Sequence, residues 1–129
     1  MNMSQALVVE DSRTVASILK HFLQREGFGV LLAADGMTGL ETAIRERPRL
    51  VVTDLNMPGM GGLELVKALR ADARTHDIAI FVLTSEQSEE GERQARAAGA
   101  DDYILKPIEP RQLAARVKAV VAQDGMPAA

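Results

Sequence analysis

The sequence predicts an α/β protein, a doubly wound (βα)5 parallel sheet of five strands, from two observations. Five short apolar runs have the length of strands, and the segments between them carry apolar residues at helical spacing. The runs are apolar at successive positions, so both faces of each strand are expected to be covered by helices. The predicted strands are residues 6–9, 30–34, 50–53, 78–83 and 103–105.

The first two helices are predicted from apolar stripes and from residues that favour helix ends. In the first helix the stripe spans residues 15–23, Ser12 is placed to cap the N-terminus, and Gly27 is placed to end it. The second helix ends before Pro48, which cannot continue a helix. Its predicted buried stripe consists of Met37, Leu40, Ala43 and Ile44.

The last three helices are predicted in the same way but differ in strength. The fifth begins near Pro110, a residue that the first helical turn tolerates. The fourth, residues 88–98, has only alanines as its apolar stripe, and Gly91 costs it about 1 kcal/mol relative to alanine. We therefore expect the fourth helix to be the least stable of the five. The predicted core residues of the third and fifth helices are Leu63, Leu65, Val66, Leu69, Leu113, Val117, Val120 and Val121.

Composition and length exclude several classes of protein. The 129 residues suit one domain, expected to cover residues 1–123 and to be followed by a loose tail, residues 124–129. Lys and Arg total 15 against 18 for Asp and Glu, a formal net charge of −3 that disfavours non-specific binding to nucleic acid or an anionic membrane. The absence of cysteine excludes disulfides and zinc–thiolate sites. With no targeting signal and no apolar run near the roughly 20 residues of a spanning helix, we expect a cytoplasmic protein that does not insert into membranes.

Candidate site residues follow four of the five predicted strands. Glu10 and Asp11 follow the first strand, Asp54 the third, Thr84 the fourth and Lys106 the fifth. Because a doubly wound sheet binds its ligand outside the carboxyl ends of its strands, we expect these side chains to converge. Three carboxylates against one ammonium call for a divalent cation. An all-oxygen donor set suits Mg²⁺, with Mn²⁺ as the alternative, rather than zinc.

Such a cluster has the chemistry for phosphoryl transfer. A carboxylate such as that of Asp54 can attack phosphorus and form an aspartyl phosphate. The reaction needs mainly positioning and neutralisation of the phosphoryl oxygens. A cation held by Glu10 and Asp11, the Lys106 ammonium and the Thr84 hydroxyl would supply one contact to each of the three oxygens.

With these pieces in the same order and at compatible spacing, essentially the whole chain resembles the receiver domains of two-component response regulators. The resemblance implies a flavodoxin-like sheet with strand order 2-1-3-4-5. It also implies that Asp54 is the phosphoacceptor and that Thr84 and Lys106 contact the phosphoryl group. The resemblance implies further metal ligands in addition to Asp54. Asp11 would bind the metal directly, Glu10 mostly through water, and Asn56 through its backbone carbonyl.

The resemblance further implies a conformational switch made of Thr84 and Tyr103. Phosphorylation is expected to draw the Thr84 hydroxyl toward Asp54, so that Tyr103 swings inward and the weak fourth helix follows. The plainer interpretation of Tyr103 is a half-buried aromatic residue with its hydroxyl in water. The Lys106–Pro107 bond is predicted to be cis, because Lys106 must turn inward where the chain leaves the strand.

Two more residues are expected to set the lifetime of the phosphoaspartate. Asn56 and Glu86, which stand two residues after Asp54 and Thr84, are polar and do not exclude water well, so a short lifetime is expected. By the resemblance, the phosphoryl group comes from a histidine kinase or phosphotransfer protein, and the domain catalyses only its own phosphorylation and dephosphorylation.

The output is expected to be protein binding at the face of the fourth helix, fifth strand and fifth helix. That face could also serve a phosphorylation-dependent homodimer. Direct contact with nucleic acid is not expected, because no DNA-binding segment follows the fifth helix; the chain acts alone or is part of a longer protein.

Two alternative functions use the same residues. A Mg²⁺-dependent phosphatase of the haloacid dehalogenase type also needs a strand-end Asp, a Thr and a Lys. It further needs an acid–base Asp two residues after the nucleophile, where this chain has Asn56, which cannot shuttle a proton. A phosphorylation-independent receiver-like binding module is the third possibility, and the complete set of site residues argues against it.

Overall fold

Five strands and five helices alternate along the chain in the computed structural model, which describes residues 4–123, with side chains up to residue 120. The predicted tail, residues 124–129, and the side chain of Val121 lie outside the described residues. The strands are β1 (Gln5–Val9), β2 (Gly29–Ala33), β3 (Leu50–Asp54), β4 (Ala79–Thr84) and β5 (Asp102–Leu105). The helices are α1 (Arg13–Arg25), α2 (Gly36–Glu46), α3 (Gly62–Ala71), α4 (Glu89–Ala98) and α5 (Pro110–Gln123).

The strands form one parallel sheet in the order β2-β1-β3-β4-β5, which confirms the predicted fold class and strand order. Side chains of α1 and α5 pack on one face of the sheet, and side chains of α2, α3 and α4 pack on the other. In the register, Val9 of β1 pairs with Thr53, and Asp54 pairs with Leu83 of β4. The residues that follow β1, β3 and β4 are therefore neighbours at one edge of the sheet.

Helix α1 begins and ends at the residues that the sequence predicts. The Ser12 side chain accepts a hydrogen bond from the Val15 amide, which satisfies a donor that the first turn leaves free. At the other end, Gly27 has a φ of 96°, and the Gly27 and Phe28 amides donate to the carbonyls of Gln24 and Leu23. A glycine adopts this left-handed conformation without the steric cost that other residues carry.

The predicted burial is wrong at four places: Leu32 of β2 and Met37 of α2, and also Ile18 of α1 and Leu105 of β5, which are 43% and 36% exposed. Leu32 of β2 is 47% exposed, because β2 is an edge strand with a neighbour on one side only. Met37 is 56% exposed, and the sheet-facing side of α2 instead carries small residues, among them Gly39. A β-carbon at Gly39 would lie 2.8 Å from Val9 Cγ2, so α2 approaches β1 too closely for large side chains. Within residues 4–123, no helix is long and apolar enough to cross a lipid bilayer.

Candidate functional site

Three carboxylates meet at the carboxyl ends of β1 and β3. Oxygen atoms of Glu10, Asp11 and Asp54 all lie within 4.8 Å of one another. Glu10 and Asp54 are 4% and 8% exposed, whereas Asp11 faces solvent. The pairing of β1 with β3 produces this cluster, because both acidic segments leave the sheet at the same edge. Like charges this close repel one another unless a cation compensates them.

Lys106, which follows the edge strand β5, supplies part of the positive charge that compensates the carboxylates. Its Nζ lies 3.1 Å from Glu10 Oε1 and 3.3 Å from Asp54 Oδ1. Burial lowers the pKa of Lys106, but the hydrogen bond with Glu10 and the negative charges of Asp54 and Glu10 outweigh it and raise that pKa above its usual value. The lysine is therefore a cation in this site. The next bond, Lys106–Pro107, is cis.

Glu10 is the most deeply buried member of the cluster. Burial raises its pKa above the ordinary value, more than the hydrogen bonds from the Ser12 amide and the Lys106 ammonium lower it. The Ser12 amide donates to Glu10 Oε2 at 3.1 Å, so each carboxylate oxygen of Glu10 accepts one hydrogen bond from the protein. These bonds fix the side chain with its oxygens in the acidic cluster.

Thr84 and Tyr103 are joined through the backbone of Glu86. Thr84 is 1% exposed, and its hydroxyl oxygen accepts a hydrogen bond of 3.0 Å from the Glu86 amide. The Tyr103 hydroxyl donates to the Glu86 carbonyl, also at 3.0 Å. Tyr103 is 7% exposed, so a half-buried ring with its hydroxyl in water does not describe it. The ring is buried in this structure, and its response to phosphorylation stays a prediction.

Asn56 and Glu86, in the loops that follow β3 and β4, line the same groove. Both are exposed, and the groove, of about 450 Å³, lies between the β3–α3 loop and α4. The structure therefore brings together the two residues that the sequence singles out for water access. Asn56 lies two residues beyond Asp54 in an irregular loop.

A second groove, of about 780 Å³, lies along α4, β5 and α5. Its lining includes Tyr103, Arg96 and Arg116. Asp102 accepts hydrogen bonds from both arginines, at 3.5 Å from Arg96, and so links α4 to α5 through β5. Sequence reasoning missed this link, because charged residues of both signs on exposed helices are also typical of solvated faces.

Comparisons with known proteins agree on one family. The family model of the response regulator receiver domain matches residues 6–118. The chain is 39% identical to the transcriptional regulatory protein PrrA of Mycobacterium tuberculosis over 94% of this chain and 51% of PrrA. It is 36% identical to the alkaline phosphatase synthesis transcriptional regulatory protein PhoP of Bacillus subtilis over 92% of this chain and 48% of PhoP. The chain thus spans about half the length of these curated relatives.

Solved structures similar to this chain cover it almost completely. The chemotaxis response regulator CheY4 of Vibrio cholerae has a TM-score of 0.86 at 35% identity, covering 92% of this chain and 99% of CheY4. A putative response regulator from Chloroflexus aurantiacus has a TM-score of 0.89 at 33% identity, covering 94% of this chain and 99% of that one.

Proposed function

The chain belongs to the response regulator receiver domain family of two-component systems, and we propose that it accepts a phosphoryl group on Asp54 from a histidine kinase or phosphotransfer protein. The observation that carries this proposal is the position of Asp54. It is a buried carboxylate at a sheet edge, 3.3 Å from the Lys106 ammonium and within 4.8 Å of two further carboxylates. A helix-capping or purely structural role would not need this concentration of charge.

In the proposed reaction, an Asp54 carboxylate oxygen attacks the phosphorus atom of a phosphohistidine. A new O–P bond forms as the P–N bond breaks, and the histidine nitrogen of the donor leaves with the bonding electron pair. The Lys106 ammonium, already beside Asp54, neutralises charge on the transferred group. The Thr84 hydroxyl is suited to donate to a phosphoryl oxygen, because the Glu86 amide already occupies one of its acceptor positions.

The donor set fits Mg²⁺, and we propose that the reaction depends on that ion. Glu10, Asp11 and Asp54 present carboxylate oxygens within 4.8 Å of one another, and oxygen ligands without sulfur or imidazole suit Mg²⁺ or Mn²⁺. By family resemblance, the backbone carbonyl of Asn56 is a further ligand. The bound ion would supply positive charge to the phosphoryl oxygens.

The proposed output is a change in the face formed by α4, β5 and α5. We propose that Thr84 and Tyr103 carry the effect of a phosphoryl group on Asp54 to the groove on this face, since Tyr103 lines that groove and donates a hydrogen bond to the carbonyl of Glu86, two residues after Thr84. We propose a downstream protein as the partner there, with a phosphorylation-dependent homodimer as a second use, and no direct contact with nucleic acid. The domain would catalyse only its own phosphorylation and dephosphorylation. We place this exchange in the cytoplasm, with which the cysteine-free composition is compatible.

Intact-mass measurement after incubation with acetyl phosphate and Mg²⁺ tests the proposal. The wild type is expected to gain one phosphoryl group, and Asp54→Asn none. Asp77→Asn, a change at an exposed loop residue, is the matched control and should be labelled like the wild type. Full labelling of Asp54→Asn would exclude Asp54 as the acceptor. Catalytic hydrolysis of an external phosphate ester would instead favour the phosphatase alternative.

A further inference from the structure

Gly91 in α4 lies directly against the hydroxyl group of Tyr103. A β-carbon built on Gly91 would come within 2.8 Å of Tyr103 Oη, closer than the 3.0 Å that real β-carbons keep. The next nearest atoms, both of Ser88, are at a comfortable 3.6 Å. Among the residues that the structure describes, the steric conflict is therefore with the far end of one aromatic side chain.

The backbone conformation does not explain a glycine at this position. Gly27, Gly59 and Gly99 have positive φ angles, whereas Gly91 lies inside α4 with no such angle. Glycine within a helix costs about 1 kcal/mol relative to alanine. Because α4 buries only one of its residues, Ala95, this cost falls on a helix with little packing to offset it. The space that Gly91 leaves for the tyrosine hydroxyl is the feature that distinguishes it.

The buried Tyr103 ring contacts two features used in the proposed function, the backbone that bonds Thr84 and the groove along α4, β5 and α5. Its hydroxyl bonds the Glu86 carbonyl, and the Glu86 amide bonds the Thr84 hydroxyl, so the ring position and the Thr84 position are connected by two hydrogen bonds. Tyr103 also lines the groove along α4, β5 and α5, which gives the ring a place to go if it leaves its buried site.

We infer that Gly91 is the positioning residue for Tyr103: the missing side chain lets the ring lie inward before any phosphorylation. A side chain at position 91 displaces the ring into the groove and breaks its bond to the Glu86 carbonyl. The functional part of this inference rests on the proposed function. It implies that the α4–β5–α5 face is already largely in its inward-tyrosine form in the unmodified protein, so phosphorylation acts on Thr84 more than on the ring.

Tyrosine fluorescence tests the ring position directly, because Tyr103 is the only tyrosine and the chain has no tryptophan. Acrylamide should quench the wild-type emission weakly, since Tyr103 is 7% exposed. In Gly91→Ala, we expect the quenching constant to rise several-fold, toward that of the urea-unfolded protein. A quenching constant equal to the wild-type value in folded Gly91→Ala would overturn the inference.

A double-mutant cycle separates the steric conflict from a general effect on α4. In the Tyr103→Phe background the conflicting oxygen is gone, so Gly91→Ala should raise Tm by about 3–5 °C, the shift expected from helix propensity. In the protein that keeps Tyr103, Gly91→Ala should leave Tm unchanged or lower it. If Gly91→Ala fails to fold while the double variant folds, the steric conflict with the Tyr103 hydroxyl is supported. The conflict is refuted if Gly91→Ala raises Tm equally with Tyr103 and with Phe at position 103, or if neither variant folds.

The rate of labelling by acetyl phosphate is the functional arm. Displacing the ring frees the Glu86 carbonyl, so Gly91→Ala should alter the initial labelling rate at least twofold. In a protein that already carries Tyr103→Phe, adding Gly91→Ala should leave the labelling rate unchanged. An unchanged labelling rate in Gly91→Ala, with the quenching and Tm results as expected, would overturn the connection to Thr84. The quenching and Tm arms use no phosphodonor, so a failure of Asp54 labelling in the wild type would count against the proposed function alone.

Discussion

Replacement of Lys106 by methionine removes the cation that lies beside Glu10 and Asp54, while keeping a side chain of similar length. The two ion pairs, at 3.1 and 3.3 Å, are each worth about 5 kcal/mol at an effective dielectric constant of about 20, before the cost of burying the charges. Breaking a buried pair typically costs about 3–5 kcal/mol because it leaves an uncompensated charge behind.

Protonation of Glu10 sets an upper limit on that cost. A glutamate carboxyl has an ordinary pKa of 4.5, so protonating Glu10 at about pH 7 costs about 3.4 kcal/mol at about 1.36 kcal/mol per pH unit. The protein can take this route in place of an unpaired charge, so we predict that Lys106→Met lowers the free energy of unfolding by about 2–3 kcal/mol at neutral pH. The loss should shrink as the pH falls and be smallest below 4.5, where Glu10 becomes protonated in the folded and unfolded states alike. Mg²⁺ should also reduce it.

Urea denaturation followed by circular dichroism measures this loss at neutral and mildly acidic pH, with and without Mg²⁺. Lys118→Met is the matched control. The Lys118 side chain is 75% exposed, and its ammonium lies as far as 4.0 Å from the Glu26 carboxylate, so this ion pair is expected to contribute little to stability. The electrostatic reasoning is refuted if Lys106→Met is no less stable than Lys118→Met at neutral pH. It is also refuted if the loss is the same at all pH values.

Three other predictions concern the lifetime, the tyrosine and the core. The phosphoryl group on Asp54 should be lost within minutes at neutral pH, because exposed Asn56 and Glu86 leave the approach of water open; a lifetime of hours, measured by intact mass, would contradict this. The absorbance of the Tyr103 phenolate should appear with a midpoint above pH 10.0, the ordinary pKa of tyrosine, because burial raises the pKa of Tyr103. The folding stability linked to this shift is present below pH 10.0 and is lost as the pH rises through the raised pKa. A titration midpoint at or below pH 10.0 would be inconsistent with the buried ring. Leu69→Ala, at a fully buried position of α3, should lower the free energy of unfolding measured in urea by about 2–5 kcal/mol. Ile18→Ala, at a 43% exposed position, should lower it by less than about 1 kcal/mol, and equal losses would contradict the burial of Leu69.

The fold could be predicted from the sequence because its elements are specified locally. Continuous apolar runs define the three central strands, and side chains that favour helix ends, such as Ser12, define where α1 begins. The convergence of Glu10, Asp54 and Lys106 follows from the topology alone, since the carboxyl ends of parallel strands meet at one edge.

The parts that could not be predicted depend on distances between elements. The exposure of Met37 follows from how closely α2 approaches β1, which a hydrophobic stripe does not encode. The inward position of Tyr103 depends on the space over Gly91, a contact between α4 and β5. From the sequence, Gly91 indicates only a weaker helix, because its role lies in the volume that a side chain would occupy.

The site of phosphorylation is the central claim, and chemical trapping of the acyl phosphate tests it most directly. Borohydride reduces an aspartyl phosphate to homoserine, which peptide mass spectrometry locates after digestion. We predict homoserine at position 54 and at no other position in protein labelled by acetyl phosphate with Mg²⁺. Reduction at Asp11 in place of Asp54, or a phosphoryl group retained on His21 or His76 after borohydride treatment, would contradict the account.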